Sequence, residues 1–358
     1  MLKNLFLCLI SLTFISSSAC DEKDKPKDPD PIPEKFIIKA ADLSFLPEIE
    51  QAGNVFYNRN GQAEDMLTTL KNAGLNTVRI RLWNNPANGP SGLAEVRAFS
   101  ERVKAKGMKV WLTVHYSDTW ADPGNQQVPE AWKNLGFYIL KDSLYSYTAK
   151  VVREIKPDYY QVGNEINNGM MWPQGNITYL PNFRSLLEAG VKAVRDNSNT
   201  CKIMIHYAGI ENVDAFFTNL TALDYDIIGL SYYPLWHGKS LSQLETTLGE
   251  LGPKFNKQVL IAETSYPFTL GWNDWTNNVI GLENQILEAY PATPAGQKDF
   301  LNEIKRISTA TDKSIGFAYW GGEWVAYKGA QATNGSSWEN QAFYDFDNRA
   351  LPVIEAFN

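Results

Sequence analysis

The sequence predicts an α/β fold, a (β/α)8 TIM barrel in a single domain. Short runs rich in β-branched and aromatic residues alternate with longer amphipathic segments along residues 36–358, which is the pattern of a parallel barrel surrounded by helices. The chain has 358 residues, of which 44% are hydrophobic, and such barrels commonly use roughly 200 to 400 residues as one domain. Long irregular segments follow several of the runs, where barrel enzymes carry their sites.

The predicted elements follow one another without a gap that would require a second domain. The strands are 36–40, 77–82, 109–115, 158–162, 202–206, 226–231, 258–263 and 314–320. The clearest helices are 92–106, 144–155, 183–195, 241–248 and 296–309. The notable loops after strands are 116–134, 166–180, 266–294 and 321–347. We therefore predict a catalytic domain over residues 36–358.

The first 19 residues predict a signal peptide. Lys3 supplies positive charge, residues 5–15 form an apolar core that is too short to span a bilayer, and small residues precede Cys20. A cysteine at this place resembles the lipidation site of bacterial lipoproteins. Residues 20–35, rich in charge and proline, predict a disordered tether. We expect an exported protein, held at the outer membrane or cell surface by a lipid on Cys20, or else secreted.

Charge and cysteine content limit the partners. The formal net charge is −7 without a basic run, which argues against nucleic-acid binding. Cys8 lies in the signal peptide, Cys20 is the lipidation candidate and Cys201 stands alone, so no disulfide is needed. We expect a monomer whose only membrane contact is the lipid on Cys20.

Two of the predicted strands each deliver a glutamate. Glu165 follows the fourth strand and Glu263 ends the seventh. The carboxyl ends of barrel strands face a common pocket, and two carboxylates in one pocket are the minimum equipment for cleaving a glycosidic bond. A carboxyl separation of about 5 to 5.5 Å gives retention of configuration and one of about 6.5 to 9.5 Å gives inversion. The sequence does not measure that distance.

Other strand ends carry side chains that suit the same pocket. Arg79, Arg81 and Trp83 alternate with apolar residues and therefore share one side of the second strand. An arginine inside the barrel needs an anion, and Glu263 would be one and would stay ionised beside it. The alternative is a pair of surface arginines. Asn164 is placed to donate to the sugar 2-hydroxyl.

The segments after the third and sixth strands supply further candidate sugar contacts. They are His115, Asp118 and Trp120 after the third strand, and Tyr232, Tyr233, Trp236 and His237 after the sixth. Indole and phenol rings present flat faces with a polar edge that suit sugar stacking, although ordinary packing is the alternative for any single ring. His206, within the fifth strand, is interpreted as a hydrogen-bonded core residue.

These residues resemble the arabinogalactan endo-β-1,4-galactanases of glycoside hydrolase family 53. The matching segments are 41–44, 76–86, 115–123, 163–166, 231–234 and 262–264. They span residues 36 to about 350. An Asn-Glu pair recurs in many related families, whereas the long segment 115–123, His-Tyr-Ser-Asp-Thr-Trp-Ala-Asp-Pro, is specific to this one.

The resemblance implies roles for individual residues. Glu165 would be the acid/base and Glu263 the nucleophile of a retaining enzyme. Arg79 would lie beside the nucleophile, and Tyr232 or Tyr233 would form a hydrogen bond with it.

The end of the eighth strand is also assigned by the resemblance. Trp320 would match the tryptophan on which the sugar at the cleavage point stacks. Trp324 follows in Gly321-Gly322-Glu323-Trp324, where fungal members have Glu-Pro-Ala-Trp, and we expect it to contact sugar. Glu323 would either contact sugar or face water.

The implied activity is endo cleavage of β-1,4-galactosidic bonds in galactan or type I arabinogalactan, with galacto-oligosaccharides as further ligands. One alternative is another endo-glycanase of the same clan, a β-mannanase or xylanase. A second alternative is a surface glycan-binding lipoprotein that has lost catalysis, which the two intact glutamates disfavour.

No cofactor is required for such catalysis, and no residue is assigned to a catalytic metal. Bacterial relatives often hold a structural calcium ion in a late loop. Residues 271–283 offer Asn273, Asp274, Asn277 and Glu283 as oxygen donors, but without a fixed ligand spacing. A structural calcium ion is therefore an open option.

Overall fold

The computed structural model describes residues 35–358, of which Phe36–Asn358 form one compact unit. The predicted signal peptide, Cys20 and nearly all of the predicted tether lie outside the described residues. The compact unit is a closed barrel of parallel strands in which each strand pairs with its two neighbours in sequence. The predicted (β/α)8 fold is confirmed. No helix within residues 35–358 is both long enough and apolar enough to span a membrane.

Strands and helices alternate around the barrel. The strands are β1 (Ile38–Asp42), β2 (Thr77–Leu82), β3 (Lys109–Val114), β4 (Tyr159–Val162), β5 (Lys202–Ala208), β6 (Ile227–Ser231), β7 (Gln258–Thr264) and β8 (Ser314–Tyr319). The helices are α1 (Leu46–Gln51), α2 (Met66–Asn72), α3 (Leu93–Ala105), α4 (Phe137–Ile155), α5 (Leu180–Asn197), α6 (Val213–Thr218), α7 (Pro234–His237), α8 (Leu241–Phe255) and α9 (Pro294–Ile307). Short 3-10 helices occupy Glu130–Trp132, Ile177–Tyr179, Glu283–Gln285, Glu339–Gln341 and Pro352–Phe357.

The helices differ from the prediction mainly in extent. Helix α4 begins at Phe137, well before the predicted start, and α8 continues to Phe255 with Pro253 inside its last turn. The sequence pattern missed α1, α2, α6 and α7, which have four to seven residues each. Segments this short do not complete the hydrophobic period that identifies a helix, and tertiary packing stabilises them.

Side-chain alternation along the strands separates two cores. Val110, Leu112 and Val114 of β3 belong to the large core between barrel and helices. Trp111, between them, belongs to a smaller apolar cluster inside the barrel, together with residues of other strands, most of which lie nearer the amino ends. The guanidinium of Arg79 lies over the Trp111 ring at 5.5 Å. The barrel interior therefore carries a polar layer above an apolar one.

An irregularity in β7 decides where its glutamate points. Leu260 and Ala262 belong to the inner cluster and Ile261 to the outer core, so strict alternation would turn Glu263 outward. The pairing with β6 shifts, because Leu230 pairs with Ile261 but the next residue of β6 pairs with Glu263. A bulge of this kind re-aims a side chain. It brings Glu263 into the polar layer.

Candidate active site

The carboxyl ends of the strands open into a cleft of about 560 Å³. Most of the predicted site residues line it, namely Arg79, His115, Trp120, Asn164, Glu165, Tyr233, His237, Glu263, Trp320 and Trp324. The cleft also contains Arg81 and Trp236, which the sequence placed among the pocket side chains, together with Asp42, Asp122 and Trp338. Its walls are thus aromatic and its floor carries charged and amide groups.

Three predicted site residues do not line this cleft. The Tyr232 hydroxyl is turned away and donates to the carbonyl of Gly238 at 2.8 Å. The Asp118 carboxylate accepts two backbone N–H groups of adjacent loop segments at 2.9 and 2.8 Å. The Trp83 indole N–H donates to Nδ1 of His115 at 3.3 Å. These three side chains hold the rim and neighbouring residues in place.

A buried arginine connects the residues around Glu263. Arg79 is 1% exposed and donates to Glu263 Oε1 at 2.7 Å, Asp42 Oδ2 at 2.7 Å and Asn164 Oδ1 at 2.8 Å. The Tyr233 hydroxyl donates to the other Glu263 oxygen at 3.0 Å. Although burial opposes it, the adjacent carboxylates keep the pKa of Arg79 above its usual value. The guanidinium is therefore a fixed cation beside Glu263.

Glu165 is held through its backbone and through one carboxyl oxygen. Its φ is +47°, in the left-handed region, a conformation that costs energy for a residue with a side chain. The buried amide of Gln126 donates to the carbonyls of Asn164 and Glu165 at 2.8 and 3.2 Å. The Ser231 hydroxyl donates to Glu165 Oε1 at 2.6 Å. These contacts hold the side chain over the cleft.

The two glutamates have different electrostatic environments. Burial and the charge of Glu263 raise the pKa of Glu165 to about 8. Burial also raises the pKa of Glu263, but Arg79 and Tyr233 oppose that rise. Glu165 therefore favours the protonated form at neutral pH, and the Arg79 and Tyr233 contacts favour the ionised form of Glu263, which is the division that acid and nucleophile require.

The carboxyl groups lie close together. One oxygen of Glu165, one oxygen of Glu263 and a ring nitrogen of His206 all lie within 4.8 Å of one another. Such a spacing agrees with the carboxyl separation of about 5 to 5.5 Å that gives retention of configuration, and not with the separation of about 6.5 to 9.5 Å that gives inversion. The trio does not fit a divalent cation, because both Glu263 oxygens accept hydrogen bonds and Arg79 already supplies the positive charge.

Aromatic rings form the walls of the cleft. The centroid of the Trp320 ring lies 6.1 Å from that of Trp120 and 4.7 Å from that of Trp338. The Trp338 centroid in turn lies 6.2 Å from that of Trp236. Trp324 lies 5.8 Å from Trp320. The predicted tryptophans thus meet Trp338, which the sequence analysis missed because it lies inside a long loop without a periodic pattern. Flat faces at these positions can stack on pyranose rings.

Of two further charged residues, Arg81 lies at the cleft as the strand alternation predicted, whereas the expectation for Glu323 is wrong. The Arg81 guanidinium lies 4.1 Å from the Trp120 ring centroid and also contacts the rings of Phe45 and Trp83. Glu323 neither contacts the cleft nor faces water: it is fully buried, and its Oε1 accepts the Phe45 N–H at 2.8 Å. Burial raises its pKa to about 8.

A second group of polar atoms lies in the loops after β7 and β8. Within residues 35–358, four buried side-chain oxygens have no hydrogen-bond partner, namely Asp274 Oδ2, Glu339 Oε2 and the amide oxygens of Asn278 and Asn340. Of the donors foreseen in the sequence, Asn277 and Glu283 are exposed, Asn273 is partly buried and Asp274 is buried. Oxygen atoms of this kind are the ligands that Ca²⁺ prefers. They could hold a structural cation.

Comparisons with known proteins agree on one family. Residues 38–357 match the model for Glycosyl hydrolase family 53. An endo-beta-1,4-galactanase of Bacillus subtilis is 32% identical, covering 90% of this chain and 86% of the relative. An arabinogalactan endo-beta-1,4-galactanase of Cellvibrio japonicus is 36% identical, covering 88% and 89%. The solved family 53 catalytic domain of Ignisphaera aggregans is 34% identical with a TM-score of 0.86, covering 92% of this chain and 97% of that domain.

The buried arginine network leads to a prediction about stability. Arg79→Met removes the cation from between Asp42 and Glu263 and leaves two buried carboxyls without it. We expect the free energy of unfolding at pH 7 to fall by about 3 to 5 kcal/mol in denaturant titrations. Arg97→Met is the matched control, because Arg97 is 51% exposed, and should change stability by no more than about 0.5 kcal/mol. Equal effects of the two substitutions would contradict the prediction.

Proposed function

This chain belongs to glycosyl hydrolase family 53, and from that membership we propose that it is a retaining endo-β-1,4-galactanase. Its substrates are β-1,4-galactan, as in type I arabinogalactan, and galacto-oligosaccharides. The observation that carries the proposal is the pair formed by Glu165 and Glu263, with carboxyl oxygens within 4.8 Å of each other in the cleft. The galactan and endo parts rest on the names of the relatives.

In the first step, an oxygen of Glu263 attacks the anomeric carbon and the bond from that carbon to the glycosidic oxygen breaks. Glu165 gives its proton to the departing oxygen, so the leaving sugar is released as an alcohol. The Arg79 and Tyr233 donors keep Glu263 ionised and aim it. Asn164 also lines the cleft, and its amide donates to the sugar 2-hydroxyl as the transition state forms.

In the second step, Glu165 is a carboxylate and acts as the base. It takes a proton from a water molecule, whose oxygen attacks the anomeric carbon and displaces Glu263. The two displacements return the original configuration and restore both glutamates to their starting protonation states. Trp320 and the neighbouring rings support the sugar on its apolar faces.

Substitution of the two glutamates tests the proposal. We expect Glu263→Gln and Glu165→Gln to reduce turnover of linear β-1,4-galactan by several orders of magnitude, because each removes one chemical role. Glu130→Gln, at a side chain 78% exposed, is the control and should keep full activity. Chromatography of the products follows the digests, and NMR of the first products should show the β-anomer.

Substrate choice separates the alternatives. Galacto-oligosaccharides of mixed length appearing early from galactan support the proposal. Release from β-mannan or xylan without activity on galactan would favour another enzyme of the same clan. Binding to galactan without any cleavage by the unsubstituted protein would favour the glycan-binding alternative.

The orphaned oxygens between the loops support a structural calcium ion. Asp274 Oδ2 and Glu339 Oε2, with the amide oxygens of Asn278 and Asn340, would hold it. The ion would compensate the negative charge of two buried carboxylates and link the loop after β7 to the loop after β8. Its role would be structural, and it would take no part in the reaction steps.

Thermal unfolding checks this calcium site. We expect calcium to raise the melting temperature and a chelator to lower it, because a ligand at a hundredfold excess over its Kd stabilises the native state by about 2.7 kcal/mol. Asp274→Asn should abolish the response, whereas Glu283→Gln, at an exposed residue, should retain it. Identical melting curves of the unsubstituted protein with calcium and with chelator would exclude the site.

The amino-terminal residues extend the proposal to location. Residues 1–19 direct export, Cys20 becomes the lipidated first residue, and residues 20–35 tether a monomeric barrel to the outer membrane or cell surface; secretion is the alternative. Labelling of cells with a fatty-acid precursor should mark the full-length chain but not Cys20→Ser, whereas Cys201→Ser is the control and should be labelled normally. Unlabelled protein in the medium would favour secretion.

A further inference from the structure

We propose that Ser231 and His206 are positioning residues that hold the acidic proton of Glu165 on Oε2, the oxygen left free for the leaving group. The inference deepens the proposed function and rests on it for the identity of the reaction. From the sequence, His206 was expected to be a hydrogen-bonded core residue, and no role was predicted for Ser231.

The three residues form a short hydrogen-bonded chain across β4, β5 and β6. Ser231 and His206 are fully buried. The Ser231 hydroxyl lies 2.6 Å from Glu165 Oε1, and His206 Nε2 lies 2.9 Å from the same hydroxyl. On its other side, His206 Nδ1 lies 3.3 Å from the backbone nitrogen of Glu165 and 3.0 Å from the side-chain amide nitrogen of Gln161. His206 therefore reaches both the backbone and, through Ser231, the carboxyl group of Glu165.

Counting protons determines the direction of this chain. The backbone N–H of Glu165 donates to His206 Nδ1, so the ring proton is assigned to Nε2. His206 then donates to Ser231, and the single hydroxyl proton of Ser231 is donated to Glu165 Oε1. Burial and the charge of Arg79 keep the pKa of His206 well below 6.5, consistent with this neutral ring. Asn164 Oδ1 also lies 3.1 Å from Nδ1. This oxygen accepts a hydrogen bond from Arg79, so it does not need a proton from His206.

The consequence for Glu165 is an asymmetric carboxyl group. Because Oε1 accepts the Ser231 proton, the acidic proton lies on Oε2, which has no partner among the side chains and backbone of residues 35–358. The same hydrogen bond stabilises the carboxylate that remains after proton transfer. The other charged groups that face Glu165 are Glu263 and Asp122, which raise its pKa, and Arg79, which lowers it.

Ser231→Ala tests the proposal with two substrates. On galactan, whose leaving group needs a proton, we expect kcat/KM to fall about 10- to 100-fold, part of the 10² to 10⁴ that general acids contribute. On 2,4-dinitrophenyl β-galactobioside, whose leaving group needs no proton, the glycosylation step should change less than about threefold. Ser231→Thr keeps the hydroxyl and should restore activity on galactan. Ser100→Ala deletes a buried hydroxyl remote from the cleft and is the matched control.

The pH dependence of kcat/KM and the NMR titration of Glu165 distinguish the loss of the Ser231 hydrogen bond from a simple loss of packing, which would not shift the pKa of Glu165. Without the Ser231 donor the carboxylate is less stable, so the pKa of Glu165 should rise by about one unit. The alkaline limb of kcat/KM should move to higher pH by the same amount. The carboxyl ¹³C titration of Glu165, assigned with Glu165→Gln, measures that shift without any substrate, so it keeps its meaning if galactan proves not to be cleaved. Equal losses on both substrates with an unchanged pKa would overturn the proposal.

The direction of the hydrogen-bonded chain can also be tested on the unsubstituted protein, so that this test does not depend on whether a variant folds. The ¹⁵N shifts of the His206 ring distinguish the two tautomers. Protonation at Nε2 supports the proposed direction of the chain. Protonation at Nδ1, or a charged ring at pH 7, would overturn it.

Discussion

The site depends on one buried cation. Arg79 is held inside the barrel above the apolar layer, where a lone guanidinium would be costly, and it is compensated by Asp42 and Glu263 at 2.7 Å each. Removal of Arg79 would leave both carboxylates without their cation, so this residue links β1, β2 and β7 at their carboxyl ends. The nucleophile candidate is therefore aimed by the same contacts that satisfy the barrel interior.

This cation also separates the chemistry of the two glutamates. Glu263 lies against Arg79 and Tyr233, which favour its ionised form. Among residues 35–358, the hydrogen bond to the Glu165 carboxyl group comes from the Ser231 hydroxyl, and the charge of Glu263 opposes its ionisation. Opposite protonation states then coexist within 4.8 Å. In the proposed mechanism, Glu165 acts first as the acid and then as the base, while Glu263 is first the nucleophile and then the leaving group. The groups that donate hydrogen bonds to the two glutamates keep their places.

Each of the two glutamates lies at an irregular position of the backbone. Glu165 has a left-handed φ and is held by the Gln126 amide, while Glu263 follows a bulge in β7. Such features cost stability and persist only where neighbouring contacts enforce them. The aromatic walls come instead from the loops after β3, β6 and β8, which can vary in sequence without disturbing the barrel.

The sequence by itself determined the barrel, its strand order and most of the cleft. Period-2 alternation placed Arg79 and Arg81 on one face, and strand ends pointed to Glu165 and Glu263, because these patterns depend only on residues close together in the chain. The choice between Tyr232 and Tyr233, the contribution of Asp42 and Trp338, and the link from Ser231 through His206 needed the tertiary structure. So did the inward turn of Glu263, since strict alternation directs it outward. Those features depend on contacts between distant segments and on a bulge whose register is set by the neighbouring strands, which no local pattern encodes.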